Sequence, residues 1–80
     1  MNGLQVDTRT SAEHFEEGRQ FALKDHAELA AYFLPGAQCK LDYAVERRVA
    51  FCHTMVRDNA DARLVSNFEG RLLGYAQAQA

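Results

Sequence analysis

Ala62-Arg63-Leu64-Val65-Ser66-Asn67-Phe68-Glu69-Gly70-Arg71-Leu72-Leu73-Gly74-Tyr75-Ala76 admits two conformations, and they give two different proteins. As a helix, it carries Leu64, Phe68 and Leu72 on one face at i, i+4 spacing. As a hairpin, it turns at Glu69-Gly70 between two short runs. That turn sets Leu64 opposite Tyr75 and Ser66 opposite Leu73, which leaves one apolar face. Two glycines inside a helix cost about 1 kcal/mol each relative to alanine, so these residues predict the hairpin. The tail Ala76–Ala80 either extends the last strand or frays.

Upstream, Leu41, Val45, Val49, Cys52 and Val56 fall on one stripe at about 100° per residue, with Ala44, Phe51 and Met55 beside it. This predicts a helix over 40–58 with an apolar arc of about 160°, wide enough to touch more than one neighbour. Arg57-Asp58-Asn59 is a plausible stop. Thr10-Ser11-Ala12-Glu13 fits a capping box and predicts a helix start. The stretch 11–34 reads as one helix, or as two broken at Lys24-Asp25, and Leu34-Pro35-Gly36 ends it. Leu4-Gln5-Val6 alternates like a short first strand.

The expected fold is therefore α+β. A small antiparallel sheet, made of the N-terminal strand and the C-terminal hairpin, packs in two layers on two or three helices. One compact domain spans residues 1–80. An all-helical bundle is the alternative.

The hairpin segment, following two helices, resembles the hairpin of GNAT-type acetyltransferases, with its acidic-Gly turn and its Gly-Tyr-bearing strand. The resemblance covers about half the chain and implies topology. In that family the Gly-rich loop that holds acetyl-CoA lies after the hairpin, so the catalytic half would fall beyond residue 80. An enzyme remnant of this kind stands as an alternative function.

Composition excludes more than it assigns. The charged residues, nine basic and eleven acidic, lack the basic excess usual in nucleic-acid binders. They divide unevenly: residues 1–36 hold six acids and three bases, and residues 37–80 hold five acids and six bases. Met1–Asp7 has no signal-peptide core, no run reaches membrane-span length, and two cysteines are few for a small secreted domain. The cytoplasm is the expected location. No phosphate loop or nucleophile elbow is present.

Cys52 and His53 are neighbours, so on a helix they point about 100° apart and make a poor nucleophile pair. His14, His26 and His53 are scattered, which argues against a metal site. No cofactor is expected.

Two surfaces remain. Glu13, Glu16 and Glu17, extended by Glu28, form an acidic strip that either complements a helix N-terminus or meets a basic partner. Tyr43, Arg47, His53 and Arg57, with Arg63, form a basic and aromatic patch that is either a solvated face or a contact surface. Arg48 falls inside the apolar arc and is expected to pair internally or to snorkel.

The function these features suggest is a small non-enzymatic protein-binding module. It would act as an inhibitor or regulator that occludes a partner's surface, a nucleic-acid-handling complex being one such partner. In type it resembles regulators of phages and mobile elements, anti-CRISPR proteins among them. A homodimer built on the broad 40–58 face is a further alternative.

Overall fold

A computed structural model describes residues 8–80 of the chain. Its elements are three helices: α1 (Ser11–Phe33), α2 (Gln38–Asp58) and α3 (Ala62–Gln79). No strand occurs among the described residues. The expected α+β sheet is thus overturned in favour of the helical bundle. The anticipated strand at Leu4–Val6 lies outside the described residues.

Each boundary has a local cause. At the start of α1 the Glu13 amide donates to Thr10 Oγ1 at 3.2 Å, and the Thr10 amide donates to Glu13 Oε1 at 3.0 Å. Both halves of the capping box are in place. The helix runs unbroken through Lys24-Asp25 and stops at Leu34, which is extended ahead of Pro35. At the end of α2, Asn59 Nδ2 donates to the Met55 carbonyl at 2.9 Å, taking up one of the last unpaired carbonyls. The Asp61 carboxylate accepts from the Arg63 and Leu64 amides and so caps α3.

Glycine explains why the hairpin reading fails. A Cβ built at Gly70 would lie 1.9 Å from the Phe15 carbonyl oxygen, and one at Gly18 would lie 1.9 Å from that of Asn67. At Gly74 it would lie 2.5 Å from the Arg19 oxygen. These glycines are not turn residues. They let α1 and α3 come into backbone contact, and the packing gained there offsets their helical cost. The acetyltransferase likeness rested on the hairpin and loses its basis with it.

The pairing of Phe15 with Gly70 and of Arg19 with Gly74 ascends along both chains, so α1 and α3 run parallel. The short 34–37 connection turns α2 back antiparallel to them. Ala22, Leu41, Val45, Cys52, Phe68 and Tyr75 form the buried core. Leu29, Phe33, Val49, Met55, Val56, Leu64 and Leu72 pack around it. The stripe expected on 40–58 is therefore the face α2 turns inward.

Candidate functional site

Where the three helices meet, a cleft of about 400 Å³ opens to solvent. Each helix supplies a wall at i, i+4 spacing: Phe21 and Asp25 from α1, Arg47 and Phe51 from α2, Arg71 and Tyr75 from α3. Arg48 and Cys52 complete the lining.

The floor is a polar network. Asp25 Oδ2 accepts from Arg48 Nε at 2.6 Å and from the Tyr75 hydroxyl at 2.6 Å. One carboxylate oxygen thus ties together all three helices. Arg48 also donates to the Ala44 carbonyl at 3.3 Å, which settles its anomalous place in the apolar arc as internal pairing. Burial, followed by the hydrogen bond to Asp25, pushes the Tyr75 phenol above its ordinary range. Burial likewise pushes the Cys52 thiol up, away from the reactive thiolate.

The rim is apolar and cationic. Phe21 is 48% exposed and Phe51 is 55% exposed, high values for phenylalanine. The Arg71 guanidinium lies over the Phe21 ring at 4.1 Å and over the Phe68 ring at 4.5 Å. Its Nε donates to Asn67 Oδ1 at 2.8 Å. Phe51 meets Phe68 edge to face at 5.7 Å. Arg47 is exposed, and no carboxylate of the described residues pairs with it. A second hollow, lined by His14, Glu17, Arg63 and Asn67 among others, shares Arg71 as a wall.

The structure distributes the sequence-predicted residues differently from the two patches expected of them. Arg47 is the one that lines the cleft. Tyr43, 62% exposed, stands one turn from Arg47 on the same ridge of α2. His53 and Arg57 are exposed but lie about 120° and 80° around the helix from Arg47. Arg57 is held by its neighbour Asp58 at 2.8 Å.

The acidic strip is largely engaged within the molecule. Glu13 belongs to the capping box, and its bond from the Thr10 amide lowers its carboxyl. Arg19 and then Gln20 donate to Glu16 and hold its carboxyl down at about 2. Glu17 pairs with Arg9 and accepts from Asn67 Nδ2. Glu28 is exposed farther along α1.

Sequence reasoning missed Phe21, Asp25, Arg71 and Tyr75 as site residues. A signal for them existed in Gly18-x3-Ala22 and Gly70-x3-Gly74, two small-residue pairs at helical spacing. Such pairs mark helices that approach closely, and would have set Arg71 and Tyr75 beside Phe21 and Asp25.

Among the described residues no three His, Cys, Asp or Glu side chains gather to hold a metal ion. No helix there is long and apolar enough to cross a membrane. No family model matches the chain, and no curated protein or solved structure matches it either.

Proposed function

We propose that this chain is a docking module that binds another protein at the three-helix cleft and acts by covering the partner's surface. The observation that carries this reading is the rim: two exposed phenylalanines, Phe21 under the Arg71 guanidinium and Phe51 edge-on to the Phe68 ring that the same guanidinium covers. Aromatic and arginine side chains dominate binding hot spots because they supply large contact area at low entropic cost. The cleft opens to solvent, as a docking site requires, and its buried thiol and phenol are both held in their protonated forms.

The acidic strip is the weaker candidate surface, since Glu13, Glu16 and Glu17 are already occupied by Thr10, Arg9, Arg19 and Gln20. The test is capture from cell lysate on the immobilised chain, with Phe21→Ser and Phe51→Ser compared against charge reversal at Glu13, Glu16 and Glu17. Circular dichroism checks that each variant folds. We expect the serine variants to lose the captured partner and the charge-reversed variant to keep it. Undiminished capture by both serine variants would overturn the reading.

A further inference from the structure

We infer that the cleft accepts an acidic peptide segment of its partner, with a carboxylate on Arg47 and Arg71 and an apolar side chain against Phe21 and Phe51. The inference deepens the docking reading and rests on it. Charge complementarity carries it. Three guanidiniums face the cleft against a single carboxylate, that of Asp25. Asp25 already serves Arg48 and Tyr75 through one oxygen. Arg71 is fixed by two rings and by Asn67, and its terminal nitrogens make no ion pair among the described residues. Arg47 has no acidic partner there either. A guanidinium held in place before binding loses little freedom when it grips a carboxylate with both terminal nitrogens.

The surroundings select a peptide over a nucleic acid. A continuous phosphate backbone needs a run of cations, and the cleft offers only two guanidiniums without a carboxylate partner among the described residues, Arg47 and Arg71, enough for a single carboxylate. The exposed Phe21 and Phe51 rings line the same cleft and offer an apolar side chain beside the acid a surface to cover.

The probe is a pool of capped octapeptides built from Asp and Glu interspersed with Phe, Leu, Tyr and Met. A matched pool replaces the acids with Asn and Gln. A short oligothymidylate is the third arm. Each is titrated into isotope-labelled protein while the Arg Nε–H signals and the ring signals of Phe21 and Phe51 are followed. We expect the acidic pool to shift the Arg47, Arg71, Phe21 and Phe51 signals and the amide pool to bind about tenfold more weakly. Arg47→Gln, at an exposed position, should weaken the acidic pool about tenfold, and Arg71→Lys should recover only part of what Arg71→Gln loses.

Equal binding of the two pools, no shifts at these four residues, or stronger shifts with the oligonucleotide would each overturn the inference. So would light scattering that shows a dimer with these signals buried. The two readings fail separately. If Phe51→Ser abolishes partner capture while Arg47→Gln and Arg71→Gln capture normally, docking at the cleft stands and the acidic-peptide inference falls.

Discussion

The seam between α1 and α3 and the face that α2 lays against it are two different kinds of packing. In the seam the contact is backbone on backbone, and Gly18, Gly70 and Gly74 leave no room for even a methyl group. Across the α2 face the contact is side chain on side chain. Leu41, Val45 and Cys52 are buried there, while Tyr43 and Phe51 on the same helix remain more than half exposed. The first kind fixes a geometry, and the second leaves surface for another molecule. A chain of 80 residues has little interior relative to its surface, so some aromatic side chains stay outside the core.

The sharpest way to break this distinction is to add one carbon at a time. Gly70→Ala places a Cβ against the Phe15 carbonyl and should cost about 3 kcal/mol or more, most of the stability of a domain this small. Gly36→Ala meets nothing within 4 Å and should be neutral or stabilising by about 0.4–1 kcal/mol. Urea denaturation followed by far-UV circular dichroism reads both. Similar losses at the two sites would mean that the seam is looser than described.

On the other face, Val45→Ala removes two buried methyl groups and should cost about 2 kcal/mol. Native-state hydrogen exchange should then show α2 amides opening more readily than those of α1 and α3. Uniform acceleration in all three helices would make the two packings one cooperative unit.

Tyr75→Phe removes the hydroxyl that joins α3 to Asp25 and should cost about 1–2 kcal/mol at neutral pH. It should also change the alkaline limb. The folded state raises the Tyr75 pKa, so it keeps a proton that the unfolded chain releases. That contribution is whole below about pH 10, the ordinary phenol value, and is lost as pH rises through the higher folded value. Cys52, raised by burial, adds a decline of the same sign beginning near pH 8.5. Midpoints measured from pH 8 to 11 should fall less steeply in the phenylalanine variant. Parallel slopes would show that the phenol is not held by burial.

The smallest loss of stability belongs to the end of the seam. Thr10→Ala deletes the cap of α1 and should cost about 1 kcal/mol, with fraying confined to the first turn. Amide exchange of residues 11–14 measures it, and protection unchanged there would remove the capping box from the account.

The sequence made some of this legible. Thr10 and Glu13 announced the start of α1, Pro35 its end, and the apolar stripe from Leu41 to Val56 the inward face of α2. These are local signals whose physics does not depend on a partner. Gly70 and Gly74 misled because a glycine's cost is local and its benefit is not. The propensity scale registers the lost helix stability, while the contact with Phe15 and Arg19 exists only once two distant segments meet. With α3 read as strands, Arg71 and Tyr75 fell on no common face, and the cleft had only Arg47 to represent it. Within the acidic strip the Thr10–Glu13 box is legible as a local motif, whereas the ion pairs of Arg9 with Glu17 and of Arg19 with Glu16 emerge only in the folded helix.

Asp25 Oδ2 is an atom through which all three helices are joined. Were α2 to swing away, Arg48 would leave with it while Tyr75 stayed, and a carboxylate stripped of its cation would face whatever entered. The departing helix would also take Arg47 and Phe51. A detached α2 would therefore do more than enlarge the opening: it would leave Arg71 as the remaining guanidinium of the cleft beside the Asp25 carboxylate. If the cleft takes an acidic peptide as inferred, ligand should raise the melting temperature in part by holding α2 in place.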